Sequence, residues 1–168
     1  MKKIFSFMLV LLILGAVGII FVSIAKKDAP IVVAKGNLSK KPLPIKLNKT
    51  NDTECAMLIK TQRNAAEVVA PDGRTWFFDT PGCMVKWLQN KKWKDNVKLW
   101  VHTIDTNRWL DAKQAKYGIK DKDEMGYGFG ARENETKDTI DFNEMQKRML
   151  RGQTLKNPKW RKKILGEN

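Results

Sequence analysis

Residues 66–104, AEVVAPDGRTWFFDTPGCMVKWLQNKKWKDNVKLWVHTI, decide how this chain folds. Ala66 to Ala70 is a short β-prone run, Pro71-Asp72-Gly73 is a turn signal, and Arg74 to Phe78 resumes as an aromatic strand. Two such runs around a Pro/Asp/Gly turn form a hairpin. Thr80 then reads as a helix N-cap, with Pro81 at the first helical position. The helix carries Met84, Trp87 and Leu88 at i, i+3, i+4 spacing, so one face is apolar. It ends before Lys94 to Asn96. Val97 to Ile104 is the next strand, with Leu99 and Val101 on one face and Trp100, His102 and Ile104 on the other. The order is strand, strand, helix, strand.

A fainter unit follows. Asp105 to Asn107 is a turn, Trp109 to Ile119 leans towards strand, and Gly126 to Ala131 reads as a glycine-rich strand. Asp141-Phe142-Asn143-Glu144 resembles a capping box opening a helix. That helix has Phe142, Met145 and Met149 at i, i+3, i+7, and a short strand is expected near Thr154-Leu155. Two strand-strand-helix units imply an α+β domain of two tandem modules, with an internal duplication that leaves negligible identity between the halves.

Upstream, residues 26–51 read as a linker. Pro30, Gly36, Pro42 and Pro44 punctuate a Lys/Asn/Ser-rich stretch with little periodicity, although Ile31-Val32-Val33 is a possible strand piece. The compact domain is expected over residues 52–155. Before the linker, Met1-Lys2-Lys3 leads into apolar Ile4 to Ala25, ended by Lys26-Lys27-Asp28. About 20 apolar residues cross a hydrocarbon core, whereas the apolar part of a cleaved signal peptide is roughly 7–15 residues. Residues 1–25 therefore read as an uncleaved transmembrane signal anchor. Ser23-Ile24-Ala25 keeps cleavage as the other reading, and both export the rest of the chain.

The net charge is +14, from 32 Lys+Arg against 18 Asp+Glu. Most cations are scattered as on a solvated surface. They crowd in Lys147, Arg148, Arg151, Lys156, Lys159, Arg161, Lys162 and Lys163, beside Trp160, and residues 156–168 read as a basic tail. Such a run touches anionic lipid or nucleic acid. Export argues against nucleic acid.

The chemistry-bearing residues are sulfur. The chain has two cysteines, each beside a methionine, in Cys55-Ala56-Met57 and Cys83-Met84. Thiolate and thioether donors together suit copper(I). A four-ligand zinc site wants more Cys or His than two cysteines and one histidine. If residues 55–57 are extended, Cys55 and Met57 point to the same side and reach one ion. Cys83 falls near the third helical position, where helix N–H groups favour a thiolate and Asp79 opposes it. Met84 fits the helix core. His102 is a strand histidine and a possible further ligand. Met125 opens the glycine-rich segment and is a possible third sulfur. The competing reading joins Cys55 and Cys83 in a disulfide, making the chain a metal-free structural module of the cell envelope. With one His and no nucleophile elbow, no enzyme constellation stands out.

These residues also resemble the NosL family, the accessory proteins of nitrous oxide reductase. The match lies in Cys55-Ala56-Met57, Ala66 to Val69, Asp72-Gly73 and Phe77-Phe78-Asp79. It continues through Trp100-Val101, Ile104-Asp105, Trp109 to Ala112, Ala115, Tyr117 and Met125 to Ala131, so that it spans about residues 52–155. The resemblance implies two ββαβ modules related to the organomercurial-lyase domain, here behind the N-terminal anchor. It implies copper(I) binding and delivery, in the periplasm at the inner membrane, to apo nitrous oxide reductase or another copper client. It carries ligand roles to Cys55, Met57 and Met125. The family motif commonly reads Cys-Gly-Met, and this chain has alanine at 56. Cys83 is not a general family feature, and His102 has no assigned counterpart.

Overall fold

The structure, a computed structural model, describes residues 2–27 and 32–166. The chain divides into two units, Met1–Pro30 and Ile31–Asn168. In the first, helix α1 (Lys2–Lys27) is 26 residues long, and the side chains described between Phe7 and Val22 are all exposed. Among the described residues no helix is long and apolar enough to cross a membrane. Part of the expected span of residues 4–25 falls outside the described side chains, at positions 5, 6 and 23–25.

The second unit is α+β. Strands β1 (Val33–Ala34), β2 (Ala66–Val69), β3 (Thr75–Phe78), β4 (Lys98–His102) and β5 (Trp109–Asp111) form one antiparallel sheet in the order β1-β3-β2-β4-β5. Strands β6 (Lys116–Gly118), β7 (Ala131–Arg132) and β8 (Thr139–Ile140) form a second sheet, β7-β6-β8. Helices α2 (Pro81–Leu88) and α3 (Phe142–Leu150) pack on each other. Between them and the sheets lies the main core, where Val68, Phe78, Met84, Val101, Tyr117 and Met145 are fully buried.

The first module follows the expectation. The β2–β3 hairpin pairs Val69 with Thr75 across the Pro-Asp-Gly turn. Gly73 has φ +78 there, and a Cβ would sit 3.0 Å from the Asn37 backbone, so the position needs glycine twice over. Thr80 caps α2 by accepting the Cys83 N–H, with Pro81 next. Trp76, Trp87 and Trp93 stack at centroid distances of 5.0–5.7 Å across the hairpin and the end of α2.

The second module departs from a ββαβ order. Asp141 caps α3 as expected, and Phe142, Met145 and Met149 are its buried residues. The glycine-rich segment is not a strand before Ala131, because one carboxylate gathers its backbone. Asp123 accepts the N–H groups of Met125, Tyr127, Gly128 and Phe129 at 2.5–3.1 Å. No strand closes the module near Thr154-Leu155. A single hydrogen bond, from Leu155 N to the Tyr127 carbonyl at 2.9 Å, stands in its place.

The segment expected as a linker is part of the domain from residue 32. Val33 and Ala34 pair with Trp76 and Thr75. The Asn37 amide donates to Thr75 Oγ1, and Leu43 N donates to the fully buried Glu67 carboxylate at 3.0 Å. Ile45 joins Ile59, Ala65 and Phe77 in a second small core. Proline and glycine interrupt regular structure here, but side-chain partners hold the chain against the sheet. The basic tail is also ordered, as helix α4 (Pro158–Leu165).

Candidate metal site

Cys55 is held by a compact turn at the start of the domain. Asp52 Oδ1 accepts the N–H groups of Glu54 and Cys55 at 2.7 and 2.9 Å, and Ala56 N bonds the Asp52 carbonyl. Asp52 N donates to the Met57 carbonyl at 2.8 Å, closing the turn on itself. Residues 55–57 are therefore not extended, contrary to the expectation from spacing. Ala56 has φ 62, in the left-handed region that glycine enters without steric cost. A glycine preference at this position has a direct geometric cause.

The turn is tied to the end of β3. Asp52 Oδ2 accepts the Asp79 N–H at 2.8 Å, and Thr53 N donates to the Phe77 carbonyl. Lys86 of α2 pairs with Glu54 at 3.1 Å. These links bring Cys55 beside the first turn of α2. The ligand atoms of Asp52, Cys55, Asp79 and Cys83 all lie within 4.8 Å of one another. Asp52, Asp79 and Cys83 are buried and Cys55 is half-buried. Asp52 spends its oxygens on backbone N–H groups. Asp79 keeps one buried oxygen, Oδ1, without a hydrogen-bond partner. An orphaned carboxylate oxygen among two thiols suits a bound cation.

Both thiols are protonated at neutral pH. Burial, then the Asp52 and Asp79 charges, push Cys55 up to about 11, against a lowering hydrogen bond from the backbone of Met57. Burial pushes Cys83 far above the ordinary thiol range, and Asp52 and Asp79 add to it. The expected helix-terminus activation of Cys83 is outweighed by burial and by the Asp52 and Asp79 charges, although the Thr80 hydrogen bond acts to lower it. Burial also raises Asp79, whose Oδ2 lies 4.0 Å from Cys55 Sγ, with the neighbouring Asp52 acting in the same direction. The cysteines are free, so the disulfide reading is not realised in this structure.

The other expected ligands fall at different distances from this cluster. Met57 is 43% exposed and lines a cavity of about 390 Å³ together with Asp79, Lys60 and Glu124. It shares that cavity with the cluster through Asp79. Met125 packs partly buried against the main core. Its loop reaches the cluster through Tyr127, which covers Gly82 so closely that a Cβ would lie 2.5 Å from the ring. His102 stands apart on β4, buried, with Nδ1 unpartnered and its ring edge-on to Trp109 at 5.2 Å. It is not in the group of converging ligand atoms. The sequence presents Asp79 as a charge opposing Cys83 and as part of the Phe77-Phe78-Asp79 match, and it does not single out Asp52. The Phe78-Asp79-Thr80-Pro81 step into a capped helix was the one local signal that Asp79 faces the Cys83 turn.

No protein-family model matches the chain, and no curated protein matches it. Among solved structures, the copper chaperone NosL from Shewanella denitrificans matches with a TM-score of 0.50 at 16% identity, covering 57% of this chain and 81% of that one. The fold is NosL-like, as the sequence resemblance implied.

Proposed function

We propose that this chain is a copper(I) chaperone of NosL type, anchored by its N-terminal segment with the domain on the periplasmic side of the inner membrane. On this reading it passes copper toward maturation of nitrous oxide reductase and catalyses no reaction. The observation that carries the proposal is the convergence of Cys55, Cys83 and the orphaned Asp79 oxygen at the start of α2. The NosL-like fold supports it. For the anchor, the support is the sequence alone, the apolar run Ile4 to Ala25.

Copper(I) is the cargo. It exchanges the two thiol protons for two thiolate bonds, so each ion bound releases protons and affinity rises with pH. Asp79 accepts no hydrogen bond at Oδ1, which leaves that oxygen open to a proton as the thiols give theirs up. Met57, at the open rim, supplies a neutral thioether that holds copper(I) without the strength of a thiolate and suits release to a client. Met125 is the further sulfur on the opposite loop. His102, away from the cluster, is assigned a structural role.

Anaerobic titration of the reduced protein with copper(I), read against a chromogenic chelator, is expected to show one ion per chain. Cys55→Ser abolishes that binding while the fold, read by circular dichroism, is retained. Unchanged stoichiometry and affinity in the variant would overturn the assignment. A thiol count on unreduced protein separates the alternative: two free thiols for the chaperone, none for a disulfide module.

A further inference from the structure

Helix α4 lies outside the chemistry described so far. Asn157 caps it by accepting the Lys159 N–H, and Gly166, at φ 71, ends it. None of its residues is buried. Trp160 and Ile164, one turn apart, are half-exposed, and Leu165 is 38% exposed. From Met145 to Gly166 there is no acidic residue, while cations recur from Lys147 to Lys163. Lys163 stands 4.8 Å over the Trp160 ring. A short helix with tryptophan and aliphatic side chains beside lysines has the composition of an interfacial helix.

The segment leading into the helix packs on the Tyr127 loop beside the candidate metal site. Leu155 N bonds the Tyr127 carbonyl, Lys156 lies 5.7 Å over the Tyr127 ring, and a Cβ at Gly128 would meet Leu155 at 2.7 Å. Whatever α4 rests on thus lies close in sequence and contact to the Tyr127 loop.

We propose that α4 docks the domain on an anionic phospholipid surface, with Trp160 and Ile164 at the headgroup boundary and Lys159, Lys162 and Lys163 on the lipid phosphates. Charge complementarity selects an anionic partner. The apolar side chains of the same helix favour a bilayer over an acidic protein, since a headgroup boundary takes tryptophan and lysine in one plane. The proposal draws on the anchored reading above, which keeps a bilayer within reach.

The test uses the full chain reconstituted in nanodiscs whose acyl chains are brominated and quench nearby tryptophan. In discs with anionic phospholipid, wild type is quenched more than Trp160→Phe. That difference falls at least about twofold in a Lys159→Gln/Lys162→Gln/Lys163→Gln variant and at high salt, and it vanishes in neutral discs. Equal quenching of wild type and Trp160→Phe in anionic discs overturns the proposal. So does a Trp160 emission shift on adding polyglutamate without lipid quenching, which assigns the face to an acidic protein instead. Retention in neutral discs, with no Trp160 difference in anionic discs either, defeats the docking and leaves the anchor standing. Loss from neutral discs with capture by anionic vesicles defeats the anchor and leaves the docking standing.

Discussion

The two halves of the domain are built by different means. In β2-β3-α2-β4 the backbone supplies the order: four-residue strands pair in register, and a capped helix with proline at its first position packs over them. In β6-β7-β8-α3 the strands are two or three residues long, and aspartates hold the rest. Asp123 gathers four N–H groups. Asp105 takes the N–H groups of Glu133 and Asn134, and Asp121 pairs with Arg132 at 2.6 Å. A ladder is cooperative and tolerates the loss of one side chain. A loop wound on one carboxylate fails when that carboxylate is removed. The candidate metal site joins both devices: Cys83 rides on the regular helix, and Cys55 on a turn wound around Asp52.

The largest expected effect cuts across this contrast, because the ladder half hides one carboxylate of its own. Burial pushes Glu67 up to about 8, against one lowering hydrogen bond from Leu43 N. A carboxyl raised above its unfolded value leaves the folded state holding the extra proton. Stability is therefore full below about pH 4.5 and falls as pH rises toward 8, by roughly 5 kcal/mol from this group alone. Glu67→Gln is expected to flatten that limb in denaturant titrations between pH 5 and 9. An unchanged slope would mean that Glu67 ionises without cost. Asp105 has the opposite sign: its N–H donors outweigh burial and lower it, so its contribution is lost as pH falls through the acid range.

Next in size is Asp123→Ala, which strands four N–H groups and is expected to cost about 3 kcal/mol, with loss of amide protection confined to residues 125–129. A cost like that of an ordinary surface substitution would erase the contrast between the halves. Ala56→Gly comes third. It relieves a left-handed alanine and is expected to stabilise the protein by about 1 kcal/mol in thermal unfolding, with copper(I) stoichiometry unchanged. A destabilised Gly variant would show that the Asp52 turn does not hold Ala56 at positive φ. The smallest effect is at the hairpin turn, where Asp72 pairs with Arg74 at the exposed surface. Asp72→Ala is expected to leave the melting temperature unchanged within error, since β2 and β3 hold their register without it.

The elements readable from the sequence share one property: their signals lie within a few residues of each other. The hairpin, the Thr80-Pro81 helix start and the Asp141 helix cap are each short-range, and each is present in the structure. The glycine-rich strand was misread because its backbone bonds go to Asp123, a side chain for which strand periodicity has no term. Residues 32–51 were misread as linker because their partners, Thr75 and Glu67, lie 24 and more residues away.

The sulfur chemistry divides along the same line. That this chain carries soft donors, two thiols with neighbouring methionines and a single histidine, follows from the amino-acid sequence, because donor type is a property of the residue. Which donors meet is a property of the fold. A hydrogen bond from Asp79 N to Asp52, across 27 residues, brings the Cys55 turn to the first turn of α2. The same fold makes Cys83 and Asp79 partners of Cys55 and keeps His102 out of the cluster. Convergence over such separations depends on strand register and core packing, and neither is encoded in any one stretch of the chain.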